Sequence, residues 1–223
     1  MHSVLENGLT ALSVEEFKNK IDRDAVILDT RKSSEFTTGF IPGSISIGLE
    51  GKFADWAGTI LPFDKPLILV TENGKEKETV TSLSEAGFAQ IAGYLRGGFE
   101  SWKQVGEKTD LIIDVETDEL AMDIPFDERL IVVDVRKEVE FADGHVKDAV
   151  NIPLANMADP ASMANIEDTD NLYLHSGYGY RSTIAASLLK RQGIHNLRNV
   201  LGGWEKIKNE PGIDTEKDAS VLN

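Results

Sequence analysis

Short, unbroken apolar runs alternate along this chain with stretches whose apolar positions recur every three or four residues. Ala25-Val26-Ile27-Leu28-Asp29 and Pro66-Leu67-Ile68-Leu69-Val70 are runs of the first kind, and Ile91 to Tyr94 is a shorter one. Such runs predict strands buried on both faces. Ser13-Val14-Glu15-Glu16 reads as a capping box that opens a helix to about Ile21. Lys32 to Thr38 predicts a short polar helix ending at Gly39, and Pro42-Gly43 a turn. Gly51 to Ile60 and Lys75 to Ala86 predict amphipathic helices, the second stopped by Gly87. Gly97-Gly98 opens a further helix through Trp102. Continuous strands alternating with helices predict an α/β fold with a mostly parallel sheet flanked by helices.

The pattern then recurs. Ala25 to Leu49 aligns with Leu130 to Leu154 at a constant offset of 105 residues. Asp29, Arg31, Lys32, Glu35, Phe36 and Gly39 match Asp134, Arg136, Lys137, Glu140, Phe141 and Gly144. Gly97-Gly98-Phe99 matches Gly202-Gly203-Trp204. Agreement at both ends of each unit predicts two tandem domains, residues 1–108 and 109–223. The second is expected to contain a strand at Leu130 to Val135, a short helix near Lys137 to Ala142 and a strand at Leu172 to His175. A helix from Tyr180 to Gln192 and a last helix from Gly203 follow. Asn156 to Asp170 reads as a surface excursion with a helical turn or two, and the polar remnant after Pro211 as a frayed tail.

Composition narrows the function. The 223 residues carry a formal net charge of −15, which repels phosphate backbones, so neither nucleic acid nor an anionic membrane is expected as a partner. No apolar run reaches the length of a membrane helix and no secretory signal is visible, so the expectation is a soluble, cytoplasmic protein. There is no cysteine, which excludes disulfides and thiol chemistry for this sequence. The histidines His2, His145, His175 and His195 have no metal-ligand spacing, so no metal and no cofactor is expected.

The chemistry concentrates in Leu174-His175-Ser176-Gly177-Tyr178-Gly179-Tyr180-Arg181-Ser182. An apolar run stops, a glycine-containing loop follows and a helical pattern begins at once. In such a turn the backbone N–H groups and the helix dipole favour an anion at one spot. A nucleophile at the loop's first position would sit there, and the residue at that position is Ser176.

These residues, with Val133-Asp134-Val135-Arg136, Glu140-Phe141-Ala142-Asp143-Gly144-His145-Val146, Ala149-Val150-Asn151-Ile152-Pro153 and Gly202-Gly203-Trp204, resemble the rhodanese sulfurtransferases over nearly the whole of both repeats. The resemblance implies transfer of a sulfane sulfur from thiosulfate or a persulfide to cyanide or a thiol, through a cysteine at the loop's first position. The expected partners are therefore a small sulfur-containing anion and a thiol acceptor. It also implies roles for single residues. Ser176 marks the nucleophile, Gly177, Tyr178, Gly179 and Tyr180 bind substrate through their N–H cradle, and Arg181 assists an anionic donor; the Tyr178 and Tyr180 side chains read equally as flanking the entrance or as plain packing. Ser176 to Arg181 has the family's Cys-x4-Arg size, whereas related phosphatases use a loop one residue longer. The chain is similar to the tandem rhodanese region that, in some bacterial proteins, follows a metallo-β-lactamase-like persulfide dioxygenase domain, so such a domain is expected in fused relatives.

Two departures matter. The first unit's loop is Thr71-Glu72-Asn73-Gly74-Lys75-Glu76, with Thr71 for the nucleophile and Glu76 for the arginine, so this unit reads as degenerate. The second unit lacks only the sulfur. Oxygen carries no transferable persulfide, so the chain as written is expected to be inactive. Two origins remain open, a cysteine replaced by serine or a natural pseudoenzyme acting as a binding or regulatory module. Asp134–Arg136 and His145 read as structural, His175 as a packed strand end and Trp204 as core.

Overall fold

The continuous apolar runs become the inner strands of two parallel sheets. The computed structural model describes residues 2–164 and 166–218. The chain divides into two compact units, Met1–Leu111 and Ile112–Asn223.

The first unit runs α1 (His2–Gly8), β1 (Ala11–Leu12), α2 (Val14–Ile21), β2 (Val26–Asp29), α3 (Ser33–Thr38), β3 (Ile45–Ser46), α4 (Phe53–Ile60), β4 (Leu67–Val70), α5 (Glu76–Glu85), β5 (Ile91–Leu95) and α6 (Gly98–Gln104). Its sheet order is β1-β5-β4-β2-β3. Every residue of β2 and β4 is buried, as expected of strands covered on both faces. The predicted capping box is present: Ser13 Oγ accepts from the Glu16 amide, and the Glu16 carboxylate accepts from the Ser13 amide at 2.7 Å.

The second unit runs β6 (Ile113–Val115), α7 (Thr117–Asp123), β7 (Leu130–Asp134), α8 (Glu138–Asp143), β8 (His145–Val146), β9 (Val150–Asn151), two 3-10 turns (Leu154–Asn156 and Pro160–Met163), β10 (Asn171–His175), α9 (Tyr180–Arg191), β11 (Leu197–Val200), α10 (Gly203–Ile207) and β12 (Thr215–Glu216). Its five-stranded sheet has the order β6-β11-β10-β7-β9, the first unit's order element for element. Strand β10 lies at the centre, with His175 in register with Asp134 of β7. The loops after β7 and β10 therefore leave neighbouring parallel strands at the same carboxyl edge, where α/β sheets bind ligands.

Two expectations need correction. The segment after Pro211 is no frayed tail as far as residue 218. Thr215–Glu216 pairs antiparallel with His145–Val146, Ile213 is buried, and the Asp218 amide donates to the Ala142 carbonyl. The first unit closes likewise, through an antiparallel bridge between Phe40 and Asp110. A polar strap pinned mainly by backbone bonds leaves no apolar period to read. Residues 219–223 lie outside the described residues. The excursion from Asn156 to Asp170 holds one helical turn, Pro160–Met163, after another that ends at Asn156, but it is not wholly at the surface. Met157 and Met163 are buried, and Gln192 Nε2 donates to the Met157 carbonyl at 2.9 Å. Asn165 lies outside the described residues. Among the described residues no helix is long and apolar enough to cross a membrane.

Candidate functional site

The loop from Ser176 to Gly179 joins the central strand β10 to α9, a helix of 12 residues. Gly179, the residue before the helix, has φ +104°, a left-handed conformation that suits glycine. Its amide donates to Ser176 Oγ at 3.1 Å and closes the loop around the nucleophile position. Ser176 is 1% exposed, at the bottom of the loop.

The loop is held from below by α10. The Trp204 amide donates to the Ser176 carbonyl at 2.7 Å, and the Glu205 amide to the Gly177 carbonyl at 3.2 Å. This explains the glycine pair. Gly202 and Gly203 have φ +74° and +55°, and a Cβ on Gly203 would lie 2.1 Å from the Ser176 carbonyl oxygen. Two of the loop's carbonyls are thus tied to α10, while the Gly179 amide turns to Ser176 Oγ.

Under the loop lies a buried ion pair. Arg136 Nε donates to both Asp134 oxygens at 3.0 Å, and its Nη2 to Oδ2 at 2.6 Å and to the Gly144 carbonyl at 2.6 Å. Its guanidinium lies 4.6 Å over the half-buried Trp204 ring. Asn151 Nδ2 donates to the carbonyls of Asp134 and Arg136, both at 2.9 Å. The first unit repeats the pair as Asp29–Arg31, with Arg31 over Phe99, but has Ser46 where Asn151 stands. Both ion pairs brace the turn after a sheet strand, the structural role read from the repeat.

His145 is also structural, its Nδ1 within 2.9 Å of the Phe141 carbonyl. The fully buried His175 points Nδ1 to the Ser176 carbonyl at 3.3 Å and Nε2 to Asp134 Oδ2 at 3.6 Å. Burial lowers its pKa. Its contacts run to a backbone carbonyl and a carboxylate, and no hydrogen bond links it to the Ser176 hydroxyl.

The loop residues singled out from sequence are contiguous, but their side chains separate. Tyr178 is 80% exposed, whereas Tyr180 is half-buried. Arg181 does not stand ready for a ligand. Its Nη1 and Nη2 each donate to Glu140 at 2.7 Å, a bidentate pair, and this pair holds the Glu140 carboxyl down to about 2. Glu140 is the site residue that sequence reasoning passed over. The available signal was the repeat: Glu35 keeps the acid in the first unit while Glu76 replaces the arginine.

In the first unit Thr71 is buried at the loop's head, Gly74 has φ +85° and Lys75 pairs with Glu78 at 2.7 Å. A Cβ on Gly98 would lie 3.0 Å from the Thr71 carbonyl oxygen, so the loop's seat on α6 persists in the first unit. Among the described residues no group of three or more histidine, aspartate and glutamate side chains could hold a metal.

Comparison with known proteins agrees with this geometry. The family model of the rhodanese-like domain matches twice, over residues 13–105 and 109–210. The putative sulfur carrier protein YrkF of Bacillus subtilis is 30% identical over 120 residues, 54% of this chain and 62% of that protein. The putative mitochondrial thiosulfate sulfurtransferase of Schizosaccharomyces pombe is 26% identical over 38% of this chain and 70% of that protein. The Escherichia coli protein YibN is 35% identical over 91 residues, 40% of this chain and 62% of its own length. The chain thus spans somewhat under two thirds of YrkF and YibN. With both halves matched and the loop, the ion pair and the glycine seat in place, the chain belongs to the rhodanese-like sulfurtransferase family as two tandem rhodanese-like domains.

Proposed function

We propose that the second unit is a rhodanese-type sulfur-transfer site whose nucleophile position is held by Ser176, and that the first unit is an inactive structural copy. The carrying observation is the loop itself. Ser176 lies buried at the end of the central strand, at the head of a 12-residue helix, with the Gly179 amide on its Oγ.

With a thiol at this position the chemistry is an exchange of S–S bonds. The thiolate attacks the outer sulfur of the donor. The donor's S–S bond breaks, and its electron pair leaves with sulfite or a thiolate. The sulfane sulfur is now bound to the enzyme. An acceptor thiolate or cyanide then attacks it, and the electron pair of the broken S–S bond restores the enzyme thiolate. Loop amides and the helix dipole stabilise the anionic sulfur at each stage.

Ser176 cannot follow this course, because its hydroxyl ionises far above a thiol and oxygen holds no sulfane sulfur. A serine-hydrolase reading lacks a base, since the His175 nitrogens are directed at the Ser176 carbonyl and at Asp134. The chain as it stands is therefore inactive in thiosulfate:cyanide transfer. The test is the Ser176→Cys variant, assayed for thiocyanate and, by mass, for one added sulfur atom. A folded variant that gains neither removes the reading.

A second reading, a non-enzymatic binding or regulatory module, is favoured by one observation. The Arg181 guanidinium already has a bidentate partner within the protein, Glu140. It gains ground if the Ser176→Cys variant folds and carries no sulfur.

A further inference from the structure

We propose that Glu140 is a specificity-determining residue of the sulfur-transfer site, selecting against doubly charged donors by taking the charge of Arg181 out of the loop. The proposal rests on the sulfur-transfer reading above and adds the donor's charge to it.

Arg181 occupies the place from which a cation would meet an anionic donor. Its Nη2 lies 3.3 Å from where a Cβ on Gly177 would stand, so the guanidinium sits against the loop backbone. Both of its terminal nitrogens are nevertheless bound to the two oxygens of one carboxylate, at 2.7 Å each. That carboxylate is fixed in turn, because the Lys137 amide donates to Glu140 Oε2 at 3.1 Å. Glu140 thus reaches Arg181 from the anchored first turn of α8.

Neighbouring cations do not make up the loss. Arg136 is bound to Asp134 at 2.6 Å, and Lys208 to Glu205 at 2.6 Å. What remains to hold a donor is the loop amides and the positive end of α9, which together act as a fraction of one charge, about half a unit for the helix. That suits a singly charged or neutral sulfur. Thiosulfate brings two negative charges to a site with an ionised carboxylate beside it, on a chain of net charge −15. A thiol persulfide of the R–S–SH kind brings one charge at most at its transferable end. Tyr178, two residues along from Ser176 and 80% exposed, gives the rest of such a donor an uncharged surface.

The experiment takes the Ser176→Cys chain as parent and compares thiosulfate with the persulfide of 2-mercaptoethanol. The kcat/KM ratio of thiosulfate to persulfide is expected to favour the persulfide in the parent. It is expected to rise about tenfold on adding Glu140→Gln, which leaves Arg181 uncompensated. Adding Glu140→Asp instead, which keeps the charge, leaves the ratio within about threefold of the parent. Independently of turnover, calorimetric titration of sulfate into the Ser176 chain should show about tenfold tighter binding in Glu140→Gln. A ratio that stays constant or falls in Glu140→Gln overturns the proposal, as does unchanged sulfate affinity. Failure of the sulfur-transfer reading looks different: the parent then takes up sulfur from neither donor, while the sulfate titration still decides the role of Glu140.

Discussion

The amide of Trp204 donates to the carbonyl of Ser176 across 2.7 Å, and only a glycine at position 203 lets the two backbones come so close. The contact ties the loop to α10. Gly203→Ala places a Cβ 2.1 Å from that carbonyl oxygen at φ +55°, so loop and helix must part. The expected loss for the second unit is about 3 kcal/mol or more. Gly98→Ala meets the Thr71 carbonyl at 3.0 Å and should cost the first unit about 1–2 kcal/mol, mostly as backbone strain. Urea unfolding of both variants, followed by fluorescence, checks the order. Equal losses would mean that the closer approach at 203 carries no extra energy.

The Asp134–Arg136 pair is the next element whose removal should be felt throughout the second unit. Both side chains are buried, and Arg136 also holds the Gly144 carbonyl and covers Trp204. Asp134→Ala strands a guanidinium without its counter-ion, at an expected cost of about 3–5 kcal/mol. Asp29→Ala should do the same to the first unit, where Arg31 donates to Asp29 at 2.7 Å and to the Gly39 carbonyl at 2.9 Å. Thermal scans of the two variants should therefore lower different transitions. Loss of both transitions in either variant would contradict two separately supported units.

The fold was legible where burial leaves a period in the sequence. Val26 to Leu28, Leu67 to Val70 and Leu172 to Leu174 are unbroken apolar runs because the sheet is covered on both faces. The short edge strands Ile45–Ser46 and Val150–Asn151 are two residues long and leave no such trace. The closing strap at Thr215–Glu216 is exposed and held by backbone bonds, so its polar sequence looks like a tail. In the site, loop length and glycine positions were readable because backbone geometry demands them. The bond from Arg181 to Glu140 was not, because 41 residues separate the partners and nothing local in either marks the other.

That bond also sets a pH dependence. The Glu140 carboxyl is held down from its ordinary 4.5 to about 2, chiefly by the hydrogen bonds from Arg181. A depressed carboxyl stabilises the folded state fully above its unfolded value and loses this contribution as pH falls toward the folded one. The contribution should be present at pH 5 and above and fade between about pH 4.5 and 2. Because the Glu140 side chain is 38% exposed, solvent screening reduces it to about 1 kcal/mol. Arg181→Met should accordingly be about 1 kcal/mol less stable than the parent at pH 7, with the gap closing by pH 2.5. A gap that persists at pH 2.5 would assign the loss to packing of the Arg181 stem instead of the ion pair.

His175 gives a dependence of the same sign in a higher pH range. It is fully buried beneath the loop, with Nε2 facing Asp134 Oδ2 at 3.6 Å, and the first unit carries Val70 at the matching position. Burial lowers its pKa from 6.5, outweighing the attraction of Asp134, and Arg136 pushes the same way as burial. The unfolded chain then takes up a proton near pH 6.5 that the folded chain refuses. Stability is full above that value and drains away as pH falls below it. His175→Val places the first unit's own residue in an equivalent buried strand end, so the variant should fold. Urea midpoints at pH 8 and pH 5.5 should differ less in His175→Val than in the parent. If both proteins lose the same stability on acidification, the proton uptake belongs to another group and His175 is an inert packing residue.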